Sequence, residues 1–268
     1  MTDDAPTIDT TVPHSARIWN YWLGGRDHYE VDRVAGDHYC RIFPEMPQVA
    51  RVSRAFLGRA VRYLAGEVGI TQFVDIGTGL PQDENTHQIA QGVHPDARIV
   101  YVDNDPLVLA HARALLPSGP KGATDYLRAD LRDPAGTTAA IAPLLDPDRP
   151  VGLILSGVLG HVPDYPEARE IVRSLLAALP AGSHLAASDG ATGHPGFAEA
   201  QRHYNHSGAV PYHLRTPAEI AGFFDGLELV EPGVVCCPRW RPLAGGPAAG
   251  RLDLEIVGGV GRKPDLRR

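Results

Sequence analysis

The residues with the clearest chemical potential are Asp75, Gly77 and Gly79, which end an apolar run. Such a run, stopped by glycines and followed by helical character from Glu84 to Gly92, is typical of a buried parallel strand that turns into a helix. Glycine permits positive φ and lets the backbone approach a ligand closely. Pro81 is expected in the first turn of that helix, where a missing N–H costs nothing. The pattern predicts a small ligand at this turn.

The spacing of the glycines separates two classes of ligand. A dinucleotide fingerprint reads G-x-G-x-x-G, and its third glycine position is Gln82 in this chain. An acid two residues before the first glycine, as Asp75 is, suits a loop that faces a cationic ligand. S-adenosylmethionine is such a ligand, because it carries an ammonium, a sulfonium and a carboxylate. A nicotinamide cofactor, NAD(P), stays an alternative on the generic strand–glycine–helix–acid pattern, and a turn without any ligand is another.

Acids also end the next two predicted strands. Asp103 lies 24 residues after Gly79, where a carboxylate can accept hydrogen bonds from both hydroxyls of a ribose, and Asp130 can accept one from the adenine amine. Each acid could instead be a surface cap, but acids at three successive strand ends favour S-adenosylmethionine over NAD. Ligands of open α/β sheets bind beyond the carboxyl ends of the strands. The predicted crevice therefore contains Asp75, Gly77, Thr78, Gly79, Asp103, Asn104, Asp130, Leu131, Ser156, Gly157 and Asp189.

Methyl transfer needs little covalent help, because a sulfonium is already a good leaving group. Positioning in a dry pocket is the main requirement, with a general base where the acceptor must lose a proton. His161, just past the fourth predicted strand, is the best-placed base, although it could also be a histidine that only bonds a loop backbone. The remaining predicted contacts are Arg17, Tyr21 and Gly24 with the cofactor, and Trp22, His28, His161 and Tyr204 with the substrate.

A metal site is not expected. His194, His203 and His206 are close in sequence, but no Cys or acid with ligand spacing accompanies them.

Strand-like and helical segments alternate along the middle of the chain. The predicted strands are 73–76, 98–103, 125–130, 151–156 and 184–189, and the predicted helices are 84–92, 106–116, 137–145 and 167–179. This alternation predicts an α/β fold with a doubly wound, mostly parallel, Rossmann-like sheet. After a helix at 216–224, only a Gly/Pro-rich turn separates the strand-like runs 227–237 and 251–259, which predicts an antiparallel pair.

Helical spacing also precedes the first strand. Aromatic residues from 14 to 23 predict a short helix ended by Gly24-Gly25, and further helices are expected at about 31–39 and 49–64. The aromatic helix either packs on the domain or forms a lid over a pocket. We expect a flexible tail at 1–12, a helical lid at 13–66 and one α/β domain at 67–268.

Composition restricts the partners. The 268 residues are 43% hydrophobic and 21% charged, with a formal net charge of −7, which argues against nucleic acid or an anionic membrane as the main partner. No signal peptide or membrane-spanning stretch is predicted. Three cysteines, an odd number, point to a reducing, cytoplasmic compartment. A small molecule is therefore the expected partner, and a homodimer is compatible with the sequence.

Several segments together resemble one family. They are 17–28 (RIWNYWLGGRDH), 32–33 (DR), 75–81 (DIGTGLP), 85–87 (NTH), 101–106 (YVDNDP), 158–164 (VLGHVPD), 223–227 (FFDGL), 231–233 (EPG) and 240–242 (WRP). They resemble the actinobacterial S-adenosylmethionine-dependent methyltransferases long catalogued as a domain of unknown function, and the resemblance covers nearly the whole chain from Pro13.

This resemblance implies a class I methyltransferase fold, with a seven-stranded sheet whose last strand is antiparallel and with amino-terminal helices over the pocket. It also implies that Asp75, Gly77, Gly79, Asp103 and Asp130 hold the cofactor. The chain has Gly160-His161 where relatives often carry two histidines, so a catalytic role for the first is excluded.

Three functions remain in competition. The first is a small-molecule methyltransferase acting on an O, N or C centre, in secondary metabolism. The second is a non-catalytic module that binds S-adenosylmethionine or its product S-adenosylhomocysteine. The third is an NAD(P)-dependent reductase.

Overall fold

A mixed sheet runs through the part of the chain that the computed structural model describes, which is residues 9–81, 84–105, 107–108, 110, 121–242 and 255–265. Its strands are β1 (Gln72–Ile76), β2 (Arg98–Asp103), β3 (Ala123–Arg128), β4 (Gly152–Ser156), β5 (His184–Gly190), β6 (Glu228–Leu229), β7 (Val235–Cys236) and β8 (Ile256–Arg262). Their order in the sheet is β3-β2-β1-β4-β5-β8-β6, and β7 also pairs with β8.

The predicted fold class is confirmed. Strands β1 to β5 are parallel, and β8 is antiparallel to β5, β6 and β7. The described part of the sheet has eight strands instead of seven. The reason is a turn in which the Gly233 amide donates to the Val230 carbonyl (2.8 Å), which divides the predicted run 227–237 into two short strands. Residues 251–254 of the other predicted run, and residues 106, 109 and 111–116 of the predicted helix 106–116, lie outside the described residues.

The two faces of the sheet carry separate hydrophobic cores. Successive strand residues point to opposite faces, so Phe73 packs with one apolar cluster and its neighbour Val74 with the other. Ile154 and Leu153 on β4 divide in the same way. Helices cover both faces, which is the doubly wound arrangement.

From residue 9, where the description of the chain begins, three α-helices precede the sheet: α1 (Ser15–Trp22), α2 (Glu30–Ile42) and α3 (Met46–Tyr63). The His14 ring accepts a hydrogen bond from the Ala16 amide at the start of α1 (3.3 Å), and the positive φ of Gly24 takes the chain out of the helix. Pro47 lies in the first turn of α3, where proline is tolerated. These helices share a core with the sheet, since Ile18 and Phe56 belong to the same cluster as Phe73. The lid boundary expected near residue 66 stays a prediction.

The helices that follow in the described ranges are α4 (Thr86–Val93), α5 (Pro134–Ile141), α6 (Tyr165–Ala177), α7 (Pro195–Tyr204) and α8 (Pro217–Ala221). The predicted position of Pro81 in the first turn of α4 is wrong, because Asn85 caps this helix and Thr86 is its first residue. Among the residues that the structure describes, no helix has the length and apolar character to cross a membrane.

Candidate functional site

A cavity of about 400 Å³ lies at the carboxyl ends of β1 to β4, with α1 and α3 on its opposite side. The predicted crevice residues in its wall are Asp75, Gly77, Thr78, Gly79, Asp103, Asn104, Asp130, Leu131, Ser156 and Gly157. His161 is also part of the wall. The fold therefore brings eleven of the residues that the sequence predicted for one site into the wall of one cavity.

The turn after β1 needs glycine at two positions for different reasons. Gly77 and Gly79 have positive φ of 72° and 66°. A Cβ at Gly77 would come within 2.4 Å of the Val158 side chain, so the loop after β4 excludes any larger residue there. No atom lies within 4 Å of a Cβ built on Gly79. The backbone at Gly79 is therefore open to the cavity, and a ligand can approach it.

Asp103 faces this turn from the end of β2. Its carboxylate accepts hydrogen bonds from the backbone amides of Gly79 (3.2 Å) and Asp105 (2.9 Å). Burial raises the pKa of Asp103 to about 6, although these amides favour the charged form. Two amides occupy only part of the accepting capacity of a carboxylate, so Asp103 can also accept from hydroxyl groups in the cavity.

Asp75 and Asp130 lie on either side of Asp103 along the cavity. The Asp75 side chain is buried and accepts a hydrogen bond from the Thr86 hydroxyl (2.6 Å), which ties β1 to the start of α4. Burial raises the pKa of Asp75, and the Thr86 hydrogen bond acts in the opposite direction. Asp130 is exposed and accepts from the Arg132 amide (2.9 Å), which fixes the turn after β3.

The end of β4 is tied to β5. The Ser156 and Ser188 hydroxyls are hydrogen-bonded at 3.0 Å, and the Gly157 amide donates to the Ser188 carbonyl at 2.7 Å. Gly157 has a positive φ of 68°, which lets the chain turn away from the sheet toward His161.

His161 lies in a short 3-10 turn, and one of its ring nitrogens is hydrogen-bonded to a backbone carbonyl. Its Nδ1 is 2.9 Å from the Pro211 carbonyl oxygen, which only accepts, so Nδ1 carries the proton and Nε2 is the accepting nitrogen of the neutral ring. The ring packs edge-on against Tyr212, with centroids 5.2 Å apart. Burial lowers the pKa of His161, and the positive charge of Arg132 contributes in the same direction.

A second, smaller cavity of about 30 Å³ adjoins the first through Trp19, Gly157 and His161, which line both. Its wall is mainly aromatic and aliphatic. The predicted substrate contacts Trp22 and Tyr204 lie here, together with Met46, Val49, Gly190, Phe197, Gln201, Tyr212 and Ile256.

Four predicted contacts lie in neither cavity wall. Arg17 is buried in an ion pair with Asp32 (2.9 Å) and donates to backbone carbonyls of the preceding segment. The Tyr21 hydroxyl donates to the carboxylate of Asp37. Gly24 is exposed at the end of α1, and His28 packs edge-on against the Tyr21 ring. Their local order is explained by contacts within the helical segment itself.

Asp189 is also outside the cavity wall, although the strand-end argument placed it there. It accepts a hydrogen bond from the Tyr212 hydroxyl, and its other oxygen is 3.6 Å from the Arg215 guanidinium. Arg215 also donates to the carbonyls of Leu159 and Val162, which hold the His161 turn. The end of β5 is thus closed by a segment that follows α7.

Sequence reasoning missed several wall residues that come from the helices. Ala50, Ser53, Arg54 and Leu57 of α3 line the first cavity. Their i, i+3, i+4, i+7 spacing, with two polar members, was the available signal. His14 was also missed, and its Nε2 lies 3.2 Å from the Asp105 carboxylate.

No group of three or more His, Cys, Asp and Glu in the described ranges is arranged to hold a metal ion. The His203 ring packs beside His38, and His206 lies beyond the end of α7.

Comparisons with known proteins identify the family. A family model described as S-adenosyl methyltransferase matches residues 1–264. The chain is 45% identical to a DUF574 family protein from Streptomyces avermitilis, with 96% of this chain and 100% of that chain covered and a TM-score of 0.91. It is 38% identical to a provisionally assigned methyltransferase from Thermobifida fusca, with 99% and 100% covered and a TM-score of 0.87.

A more distant structure shares the fold. Mitomycin 7-O-methyltransferase is 17% identical, with 92% of this chain and 67% of that chain covered and a TM-score of 0.50. A search of curated proteins finds no match.

The family match extends over the segments that carried the sequence resemblance, from the aromatic helix to the last strand. The fold, with its glycine turn and acids at successive strand ends, agrees with it. The chain therefore belongs to the S-adenosyl methyltransferase family, whose cofactor is S-adenosylmethionine.

Proposed function

We propose that the protein is an active methyltransferase that transfers the methyl group of S-adenosylmethionine to an O, N or C atom of a small molecule. The observation that carries the proposal is the pair of adjoining cavities with His161 in both walls. One cavity has several carboxylates in its wall and has the volume of a small-ligand site, which is typically about 300–1,000 Å³. The other is aromatic, and at about 30 Å³ it can hold only a small apolar part of an acceptor.

The first cavity fits the cofactor by the chemistry of its wall. In the proposed arrangement Asp103 accepts from the ribose hydroxyls, Asp130 from the adenine amine, and Asp75 faces the ammonium group. The open backbone at Gly79 allows close approach, because the space that a Cβ would take is empty. When bound, S-adenosylmethionine supplies an activated methyl group on a sulfonium leaving group.

His161 is the proposed general base for acceptors that must lose a proton. The Pro211 carbonyl fixes the tautomer, so Nε2 is the nitrogen that takes the proton. The lowered pKa keeps the ring neutral near pH 7, which is the form that can act as a base. Trp22 and Tyr204 are the proposed acceptor contacts.

Exclusion of water is the other contribution of the protein. Trp19 of helix α1 and Leu23, which follows the helix, are part of the wall of the first cavity. A substrate held between these side chains and the strand ends reacts in a dry, preorganised site, where positioning accounts for most of the acceleration.

The cellular setting forms part of the proposal. Cys40, Cys236 and Cys237 form no disulfide in the described part of the chain, which supports a reducing, cytoplasmic compartment. The net charge of −7 supports a small-molecule acceptor over nucleic acid. The aromatic second cavity is compatible with an acceptor from secondary metabolism.

The experiment is incubation with methyl-labelled S-adenosylmethionine and broad metabolite extracts, followed by mass spectrometry of labelled products. With an acceptor found, His161→Ala should lower turnover about 10²- to 10⁴-fold, the range for a lost general base, while cofactor affinity measured by calorimetry stays the same. The matched control is His203→Ala, which removes an exposed histidine of α7.

Two results would count against the proposal. Tight cofactor binding without any labelled product across broad panels would favour the non-catalytic binding module. Full turnover in His161→Ala would remove the base from the mechanism and leave positioning alone. The reductase alternative has no support in the family match.

A further inference from the structure

The peptide unit between Pro211 and Tyr212 is hydrogen-bonded through both of its polar groups. Its C=O, on Pro211, accepts the hydrogen bond from Nδ1 of His161 (2.9 Å). Its N–H, on Tyr212, donates to the side-chain oxygen of Asn205 (3.0 Å). This peptide bond is trans, so its N–H and C=O point in opposite directions within one plane. Asn205 and His161 therefore contact opposite edges of the same rigid unit.

The orientation of the Asn205 amide follows from its backbone partners. Its Nδ2 donates to the Tyr212 carbonyl (3.0 Å), which can only accept, and its Oδ1 accepts from the Tyr212 amide, which can only donate. The same Oδ1 accepts from Nε2 of Gln201 at 2.9 Å. Because Asn205 directly follows the last residue of α7, these contacts attach the returning segment to the end of that helix.

The part of the segment beyond Tyr212 is held by other contacts. The His213 amide donates to the Gly160 carbonyl (2.8 Å), and the Arg215 guanidinium donates to the Leu159 carbonyl (2.9 Å). Loss of the Asn205 contacts would therefore release the 211–212 peptide without removing the anchors that follow it.

Asn205 lies in neither cavity wall, so it reaches the site through this peptide. A hydrogen bond accepted from the N–H of a peptide also strengthens its C=O as an acceptor, because hydrogen bonds in a chain polarise one another. Which nitrogen of a neutral histidine carries the proton depends on the partner of the other nitrogen. If the Pro211 carbonyl turned away, the His161 ring could also take the form with its proton on Nε2, which cannot accept another proton there.

We propose that Asn205 is a positioning residue for His161: by holding the 211–212 peptide, it keeps the Pro211 carbonyl on Nδ1 and leaves Nε2 free to accept a proton. In the proposed step the proton lost by the acceptor goes to Nε2, Nδ1 keeps its own proton, and the electron pair stays on the acceptor atom that takes the methyl group. The inference rests on the proposed function for the role of His161 as base, but the state of the ring can be measured without an acceptor.

The test follows the His161 ring of the full chain by ¹⁵N NMR at about pH 8, where the ring is neutral. His161→Gln identifies its signals by their loss. The parent protein should show the form with the proton on Nδ1. Asn205→Ala should shift the ratio of the two neutral forms about 2- to 10-fold toward the Nε2–H form, which is the order of one net hydrogen bond.

Two further variants separate positioning from a general loosening of the loop. Asn205→Asp keeps an oxygen that accepts from the Tyr212 amide, and it should keep the parent form of the ring. Ser207→Ala removes a hydroxyl that accepts from the Ala209 amide (3.3 Å) in the same loop, and it should leave the ring unchanged. If Asn205→Ala does not fold, Asn205→Ser replaces it, because one hydroxyl cannot make both contacts with Tyr212.

The affinity for S-adenosylhomocysteine, measured by calorimetry, should be the same in all of these Asn205 and Ser207 variants, since neither residue lies in a cavity wall. With an acceptor found, turnover in Asn205→Ala should fall in proportion to the loss of the Nδ1–H form.

Three results would overturn the inference. They are a parent ring in the Nε2–H form, an unchanged ring in Asn205→Ala, and a shift in Ser207→Ala or Asn205→Asp as large as that in Asn205→Ala. The proposed function can fail separately. A selective shift in Asn205→Ala, in a protein whose His161→Ala variant keeps full turnover, would sustain the positioning of the ring and refute its role as base.

Discussion

Two carboxylates at the same edge of the sheet have opposite surroundings. Asp103 ends β2 and Asp189 lies near the end of β5, and burial raises the pKa of each to about 6. Asp103 accepts backbone amides and lies in the cavity wall. Asp189 is closed off by Tyr212 and paired with Arg215. Position at a strand end is therefore not enough to place an acid in the binding site.

The segment that follows each strand makes the difference. After β2 the chain turns at once, and the Asp105 amide bonds back to Asp103. After β5 the chain makes an excursion through α7 and returns beside the same strand end. There the Thr192 amide donates to the Arg215 carbonyl (2.7 Å), and the Arg215 amide donates to the Gly190 carbonyl (3.2 Å). The returning segment covers Asp189 and carries the Pro211 carbonyl to His161.

The largest effect is expected from Asp189→Ala. It leaves the buried Arg215 charge without its carboxylate, so the free energy of unfolding should fall by about 3–5 kcal/mol. Urea unfolding followed by circular dichroism measures this. A loss below about 1 kcal/mol, the level of an exposed pair, would show that Asp189 and Arg215 do not form a structural unit.

Asp103→Ala should show the opposite pattern. Loss of the acceptor for the ribose hydroxyls should weaken S-adenosylhomocysteine about 100-fold, or about 2.7 kcal/mol, measured by calorimetry. Stability should fall less than in Asp189→Ala, because Asp103 loses two backbone hydrogen bonds and forms no ion pair among the described residues. Unchanged affinity would mean that the ligand does not reach the end of β2.

Tyr212→Phe is a smaller change to the contacts that close the end of β5. The ring that packs on His161 stays, and only the hydroxyl that bonds Asp189 is removed, so unfolding should lose about 1.5–3 kcal/mol. Cofactor affinity should remain that of the parent. A variant as unstable as Asp189→Ala would place most of the network energy in the Tyr212 hydroxyl, which donates to Asp189 and accepts from the Gly190 amide (2.9 Å).

Of the two effects expected on cofactor affinity, the smaller concerns pH. A carboxyl whose pKa is raised from 3.8 to about 6 binds a proton in the folded state that the unfolded chain has released. The free energy of unfolding therefore decreases as pH rises from about 4 to 6, because both carboxyls must then lose their protons in the folded state. It increases again as pH falls through the same range. Cofactor affinity should change oppositely, falling about tenfold from pH 7 to 5 as Asp103 is protonated.

Asp103→Asn should flatten this dependence of affinity on pH, whereas Asp189→Asn should retain it. Calorimetric titrations at pH 5, 6 and 7 separate the two. An equally flat profile in both variants would contradict the assignment of the binding dependence to Asp103.

The sequence predicted what depends on local pattern. Alternation of strands and helices gave the doubly wound sheet, and the same edge then collects the glycine turn, Asp103 and Asp130. Their contacts with the cofactor stay predictions. Asp189 was misplaced because the closing Tyr212 and Arg215 lie 23 and 26 residues further on, and their packing on β5 has no local signature.

In the amino-terminal segment, too, contacts between separate elements could not be predicted from the local sequence pattern. Arg17 has the charge for a ligand contact, but folding commits it to Asp32, which lies on the next helix. Trp22 lies in the second cavity, whereas its neighbour Tyr21 bonds Asp37. Which face of a short aromatic helix meets a cavity depends on its crossing with α2 and α3, and this crossing is not encoded in the helix itself.

The division of the walls between distant parts of the chain has a practical consequence for engineering. Phe197, Gln201 and Tyr204 project from one face of α7 into the second cavity, at i, i+4 and i+7. None of them belongs to the wall at the strand ends of β1 to β4. Under the proposed function, a combinatorial library at these three codons would therefore diversify acceptor choice in directed evolution, while every member keeps the wall of the first cavity unchanged.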